Sequence, residues 1–186
     1  FAAETFVDYS VTSPRMFVEN NIIGTFNLLE ALRKNPVKKF IHISTDEVYG
    51  PIIKDNLDKR FNETDMLNPT NPYSATKAAA EMLVLSYHKT FNVPAIIVRC
   101  ENTYGCGQGQ EKLIPTLLRH KKEGKALPIY GDGLHRRCWL HVEDCCRAIE
   151  LLIKKGTIGD IYNIGGGEEY TNIEVAKMIS DNIKFV

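Results

Sequence analysis

The feature that most limits what this chain can fold into is the alternation of short apolar runs with longer amphipathic ones. "KKFIHIS", "VPAIIVRC", "LPIYG" and "DIYNIG" have strand length and are bounded by polar or turn residues. Helical segments lie between and around them. "RMFVENNIIGTFNLLEALRK" carries Phe17, Ile22, Phe26, Leu29 and Leu32 at helical spacing, with Pro14 in a first-turn position. "SATKAAAEMLVLSYHKTF", "EKLIPTLLRHKKEGK", "VEDCCRAIELLIKKG" and "NIEVAKMISDNI" are the others. Strands separated by such helices imply right-handed crossovers, so the expected architecture is a doubly wound α/β fold with a parallel sheet covered on both faces. In that architecture ligands sit beyond the carboxyl ends of the strands. "STDEVYG" begins at such an end, and this raises the question of what Asp46 and Glu47 do there.

Charge and cysteine content exclude several classes of function. Twenty-three basic and 23 acidic residues cancel to a net charge of zero, so no broad field draws in nucleic acid. The apolar runs fall far short of the roughly 18 to 20 residues a membrane-spanning helix needs, and no charged-then-apolar leader is expected. The opening "FAAETFVDYS" has no initiator Met and reads as the interior of structured sequence, so a piece of a longer protein is expected. Five cysteines, at positions 100, 106, 138, 145 and 146, lack the spacing of a disulfide framework, which fits reduced thiols in a cytoplasmic protein. His135, Cys138, His141 and Cys145 could be written as zinc ligands, but without a C-x-x-C pair they read as ordinary packing residues, and no metal site is expected.

Two glycine-rich stretches do not make a dinucleotide loop. Gly105, Gly107 and Gly109 would need a further glycine where Gln110 stands, and "NIGGGEE" also fails the spacing. "NPYSATKAAAE" is more informative, because Tyr73 and Lys77 stand four apart and project from one helix face. An ammonium beside a phenol favours the phenolate, drawing its pKa down from about 10, and such a tyrosine can take a proton from a sugar hydroxyl. Adjacent acids suit an elimination, which needs one charged carboxylate and one protonated carboxyl at the same moment. Taken residue by residue, alternatives stay open: Y-x-x-x-K also arises by accident, and Asp46 can simply end a strand and start a turn.

The order of these segments narrows the reading. "AAETFVDYS", "NNIIGTFNLLEA", "ISTDEVYG", "PTNPYSATKAAAEMLV", "EKLIP", "LPIYGDG", "WLHVED" and "IYNIGG" together resemble the extended short-chain dehydrogenase/reductase family, and within it the nucleotide-diphosphate-glucose 4,6-dehydratases. Nearly the whole chain is covered, in family order, and the Thr-Asp-Glu triplet is the most specific block. The resemblance implies an NAD-binding Rossmann fold lacking its first βαβ units, with a smaller substrate-binding part. Residues 1–104 and 136–155 would form the partial NAD-binding domain, and 105–135 with 156–186 the partial sugar-nucleotide domain. As a fragment, the chain would bind NAD weakly and be inactive by itself.

The implied reaction oxidises C4 of a nucleotide-bound glucose with NAD, eliminates water across C5 and C6, and returns the hydride to C6. By resemblance Tyr73 is the base for the C4 hydroxyl, Lys77 tunes it and binds the nicotinamide ribose, and Thr45 hydrogen-bonds the C4 oxygen. Glu47 removes the C5 proton and Asp46 protonates the departing C6 hydroxyl. Ala2, Ala3, Thr5, Asn20 and Thr103 are implied at the cofactor, together with Tyr73 and Lys77. Asn102, Lys112, Leu113, Pro128, Tyr130, Arg137 and Asn163 are implied at the substrate, along with Thr45. A guanidinium such as that of Arg137 can clamp pyrophosphate through two parallel hydrogen bonds. The favoured substrate is dTDP-glucose, with UDP-glucose next, and alternatives are a 4-epimerase or a non-catalytic sugar-nucleotide binder. A homodimer through the helices of residues 14–34 and 73–90 is also implied. The chain departs from the family at Cys106 and Gln110, where proline is usual, and at Cys138, where an acid is usual.

Overall fold

The computed structural model describes residues 2–51 and 60–186. Its first elements are α1 (Val7–Thr12), α2 (Pro14–Phe17), a π-helical segment (Val18–Ile23) and α3 (Gly24–Lys34), followed by β1 (Phe40–Thr45) and a 3-10 turn (Asp46–Tyr49). Then come α4 (Pro72–Phe91), β2 (Ala95–Cys100), β3 (Asn102–Tyr104), α5 (Leu113–Lys122), β4 (Leu127–Ile129) and β5 (Arg136–His141). The chain closes with α6 (Val142–Lys155), β6 (Ile161–Ile164), β7 (Glu169–Thr171), α7 (Asn172–Ile179) and β8 (Ile183–Phe185). Two compact units result, one of Phe1–Cys100 with Ala148–Ile164, the other of Glu101–Arg147 with Gly165–Val186.

In the first unit β1, β2 and β6 form a parallel sheet in the order β1-β2-β6, with β2 in the centre. Phe40 pairs with Ala95 and Thr45 with Cys100, so β1 and β2 end level with one another. Every residue of β2 is buried, as a strand covered on both faces requires. Ala95 and Ile97 pack with Leu29, Val84, Tyr87 and Val93 from the α3 and α4 side. Ile96 points the other way, toward Gly156 at the end of α6. Lys39 closes that end of α6 by donating to the carbonyls of Leu152, Ile153 and Gly156 at 2.9 to 3.1 Å. The α/β fold with a parallel sheet is thus as the alternation predicts.

Helix α4 has firm boundaries. Asn71 Oδ1 accepts from Ser74 N at 2.8 Å, Ser74 Oγ reciprocates at the Asn71 amide, and Pro72 occupies the first turn. Asn92 ends the helix in a left-handed conformation at φ 56°.

The long N-terminal helix differs from the expectation in its buried face. Phe17 and Leu29 are buried as predicted, but Phe26 is 41% exposed, and the positions between them are filled by Asn21 and Thr25. The π-helical segment explains this, because its wider turn inserts a residue and rotates the register of everything beyond it.

The second unit holds strands that the sequence reading passed over. β3 pairs parallel to β5, and β5 pairs antiparallel to β7, so this sheet is mixed rather than wholly parallel. β8 lies parallel beside β4. Segments of three residues carry too few positions for a period of two to show, and the polar start of β5 hides its strand character. Leu117, Leu127, Ile129, Val175 and Ala176 form the core of this unit, with Leu113, Trp139 and Ile183 packed against it. No helix among the described residues is long and apolar enough to cross a membrane.

Candidate active site

β1 delivers its last residue, Thr45, to the carboxyl end of the sheet, and the chain turns at once into the 3-10 turn. The Thr45 hydroxyl caps that turn, accepting from Glu47 N at 3.2 Å and donating to Asp46 Oδ1 at 3.1 Å. Gly50 closes it at φ 77°, its amide donating to Glu47 O, and a side chain there would collide with the carbonyl oxygen of Asn68. Val48 and Tyr49 turn inward and pack on Ala78 of α4, with Phe61 and Leu67 around them. The turn therefore buries its apolar residues and leaves both acids half-buried at the strand end.

Along α4 a stripe at four-residue spacing faces this turn: Tyr73, Lys77 and Glu81, exposed by only 7%, 6% and 0%. Thr45 and the charges of Glu47 and Asp46 all act on the Tyr73 phenol. Asn71, the cap of α4, donates from Nδ2 to Glu47 Oε2 at 3.4 Å. Lys77 Nζ donates to the Ile43 carbonyl at 2.7 Å, tying α4 to β1. Hydroxyl, acid pair, phenol and ammonium are thus assembled at one strand end and one helix N-terminus.

The electrostatics reverse one sequence-based expectation. Burial pushes the Tyr73 phenol well above its ordinary value, Glu47 and Asp46 push it further, and the Thr45 hydrogen bond works against them. Lys77, four residues on along the same face, directs its ammonium at the Ile43 carbonyl. Burial lowers the Lys77 ammonium itself, with Glu81 opposing that shift. Nearby on β1, burial and the Lys77 charge hold the His42 imidazole down at about 3.

Two residues here escaped the sequence reading. Asn21, which is buried, accepts from Glu4 N at 2.9 Å and donates to Glu4 O and Thr76 Oγ1 at 3.1 Å, fixing the opening loop against α4. Its neighbour Asn20, singled out by resemblance, is exposed. Arg99 is the other. It forms a buried ion pair with Glu81 at 2.7 Å and donates to Tyr49 Oη at 2.6 Å. A buried arginine in a β-branched strand needs a carboxylate partner, and that is the signal by which Arg99 could have been found.

The remaining sequence-derived candidates are distributed as follows. Ala2 and Thr5 are exposed and Ala3 half-buried at the start of the first unit. Asn163 on β6 belongs to the same unit and accepts from Tyr49 Oη at 2.8 Å while donating to Phe61 O at 3.2 Å. Asn102, Thr103, Lys112, Leu113, Pro128, Tyr130 and Arg137 belong to the second unit. There Pro128 and Tyr130 line an open groove of about 730 Å³ with Thr116, Arg119 and His120. Leu113 packs on the core, Arg137 is exposed, and Thr103 accepts at its backbone oxygen from Gln108 Nε2 at 2.8 Å.

A parallel α/β sheet with Tyr-x-x-x-Lys on the helix beside a Thr-Asp-Glu strand end defines an extended short-chain dehydrogenase/reductase. The sequence profile of the GDP-mannose 4,6 dehydratase family matches residues 1–185, and the chain belongs to that family. It is 46% identical over 179 residues to the dTDP-glucose 4,6-dehydratase of Streptomyces niveus, covering 96% of this chain and 52% of that protein. The crystal structure of DesIV, a dTDP-glucose 4,6-dehydratase from Streptomyces venezuelae with NAD and TYD bound, matches at a TM-score of 0.94 and 39% identity, over 100% of this chain and 59% of that one. A UDP-glucuronic acid 4-epimerase from Bacillus cereus, in complex with UDP-glucuronic acid and NAD, matches at 0.91 and 33% identity, over 100% of this chain and 60% of that one. The chain thus spans little more than half the length of the relatives it matches.

Proposed function

We propose that this chain belongs to an NAD-dependent sugar-nucleotide 4,6-dehydratase of deoxysugar biosynthesis, with dTDP-glucose the favoured substrate and UDP-glucose next. The observation that carries the reading is the joining of the acid-bearing turn to the N-terminus of α4: Asn71, the cap of the helix that bears Tyr73 and Lys77, donates to Glu47 Oε2, and Lys77 donates to Ile43 O on the strand that ends in Thr45. The dTDP-glucose 4,6-dehydratases among the relatives support the substrate class.

The residues fit the nicotinamide end of NAD. Lys77 spends one N–H on Ile43 O, and its remaining donors, on a stem 6% exposed, suit a ribose diol beside Tyr73. When bound, that cofactor supplies reversible storage of a hydride. Tyr73 takes the C4 hydroxyl proton while Thr45 holds the C4 oxygen. The Tyr73 phenol, held above its ordinary value by burial and the two acids, would be drawn down by the positive charge an oxidised nicotinamide supplies. A ketone at C4 makes the C5 proton acidic; Glu47 takes it, and Asp46 hands a proton to the leaving C6 hydroxyl. Ala2, Ala3, Thr5, Asn20 and Thr103 are assigned to the cofactor, and Asn102, Lys112, Leu113, Pro128, Tyr130, Arg137 and Asn163 to the nucleotide sugar. The protein is read as a cytoplasmic homodimer, a state supported by the apolar residues Val18, Ile23, Leu28 and Met82, each between 42% and 55% exposed on the N-terminal helices and α4.

A 4-epimerase shares Tyr73 and Lys77, and such an enzyme is among the structural matches. It has no use for an acid pair, and this favours dehydration. The mass of the product separates the two when the full-length protein is given dTDP-glucose and NAD: elimination removes one water, epimerisation none. A product of unchanged mass overturns the dehydratase reading.

A further inference from the structure

The Tyr73–Lys77–Glu81 stripe and the acid-bearing turn are joined a second time, at the end away from Thr45. Glu81 receives Arg99 through Nε at 3.1 and 3.2 Å and through Nη2 at 2.7 Å, a bidentate pair with side chains 0% and 2% exposed respectively. Arg99 Nη1 donates to Tyr49 Oη at 2.6 Å, and Tyr49 Oη donates to Asn163 Oδ1 at 2.8 Å. The Arg99 guanidinium lies 4.7 Å from the Tyr49 ring centroid, and that ring also stacks parallel on Phe61 at 4.8 Å and 4°. Arg99 Nη1 also donates to Glu63 O, and Glu63 Oε1 accepts from Asn163 N. Tyr49 is the last residue of the turn whose first two residues are Asp46 and Glu47.

A ring of contacts therefore runs from Tyr73 along α4 to Glu81, across to Arg99 on β2, to Tyr49, and back through the turn to Thr45 and Tyr73. A buried ion pair of this kind adds little stability over well-packed apolar residues of the same volume, because the desolvation of both charges offsets their attraction. What it supplies is direction: a planar guanidinium holding a carboxylate by two bonds and a phenol by a third admits one arrangement of the three elements. Proton transfer at C5 and C6 needs the acids placed to within a fraction of an ångström.

We propose that Glu81, Arg99 and Tyr49 are positioning residues that set the acid-bearing turn against the Tyr73–Lys77 stripe, so that elimination follows oxidation within one bound sugar. The proposal rests on the dehydratase reading above. It separates the two half-reactions: oxidation at C4 depends on α4 and Thr45, whereas elimination depends on the turn that Tyr49 anchors.

The test is Tyr49→Phe in the full-length protein, with thermal unfolding recorded alongside. This change keeps the ring stack and the cation–π contact and removes only the hydroxyl between Arg99 and Asn163. The expected result is a fall in kcat of about tenfold or more with KM for dTDP-glucose held within about twofold. Reduced nicotinamide should accumulate in the steady state, and C5 hydrogen exchange with solvent should slow in parallel. A merely structural role would lower the active fraction without shifting the balance between the half-reactions. Should Tyr49→Phe not fold, Phe61→Leu loosens the same ring from its other face and is expected to give the same accumulation. Wild-type kinetics, or a loss of rate with no reduced nicotinamide, overturns the positioning role while leaving the dehydratase reading intact. A wild type that forms no 4-keto-6-deoxy sugar overturns both.

Discussion

Asn71 Nδ2 donates to Glu47 Oε2 at 3.4 Å while Asn71 Oδ1 caps α4 through Ser74 N at 2.8 Å, so one side chain fixes both the start of the helix and the carboxylate opposite it. Glu47 is thereby set at a helix N-terminus, where the peptide dipoles favour negative charge. Replacing Asn71 with Ala removes both bonds. The expected cost is about 1 kcal/mol of stability from the lost cap, read by urea denaturation, with a fall in kcat that Asn71→Asp does not restore, because a carboxylate caps the helix but repels Glu47. Full activity in Asn71→Asp would show that the cap alone matters.

Glu47→Gln keeps the size of the side chain and removes its basicity. In the full-length protein given dTDP-glucose, reduced nicotinamide should still appear, but exchange of the C5 proton with deuterated solvent should stop. Exchange at the wild-type rate assigns the C5 proton to another base.

The same substitution makes an electrostatic prediction that does not depend on turnover. Burial raises the Tyr73 phenol most and Glu47 is the next cause, so removing the Glu47 charge should move the Tyr73 ionisation toward lower pH. Ultraviolet difference titration, with Tyr73→Phe as the reference that lacks this phenol, reads the shift. An unmoved or higher ionisation would falsify the proximity on which the site is built.

Removing one member of the buried ion pair strands the other. Glu81→Ala leaves the Arg99 guanidinium, 2% exposed, without its carboxylate. The expected loss is about 3 to 5 kcal/mol, seen as a lower denaturation midpoint, and Arg99→Met combined with Glu81→Leu should recover most of it without restoring elimination. A double variant as unstable as Glu81→Ala speaks against stranded charge as the cause.

His42 supplies a pH dependence of stability. Its imidazole is held at about 3 in the fold, chiefly by burial and then by the Lys77 charge, against an ordinary 6.5. The folded state therefore binds fewer protons than the unfolded state between those values. Stability contributed by neutral His42 is complete above the ordinary value and is lost as pH falls toward 3, at up to about 1.4 kcal/mol per pH unit. His42→Asn should flatten the acid limb of a plot of Tm against pH. An unchanged limb assigns acid unfolding to other groups.

What could be read in the sequence is what local chemistry repeats often enough to show. The alternation of β-branched runs with helical segments predicted the parallel sheet, since a covered strand such as β2 must be apolar along its whole length. Tyr73 and Lys77 were legible because a helix fixes the geometry of residues four apart. The acids of "STDEVYG" were legible because a strand end in this class of fold is where ligands bind.

Other features were decided only when distant segments met. The π-helical segment holds Asn21 inward, where it donates to Thr76 Oγ1, an outcome that no period reveals. Strands of three residues, such as β3 and β7, exist because a neighbour pairs with them. Lys77 ties α4 to the carbonyl of Ile43, 34 residues away. The link from Glu81 through Arg99 to Tyr49 spans separations of 18 and 50 residues. Spacing along one helix or strand is set by the covalent backbone and can be counted in the sequence. Which buried charge finds which partner depends on desolvation, and that is defined only once the whole unit has closed around it.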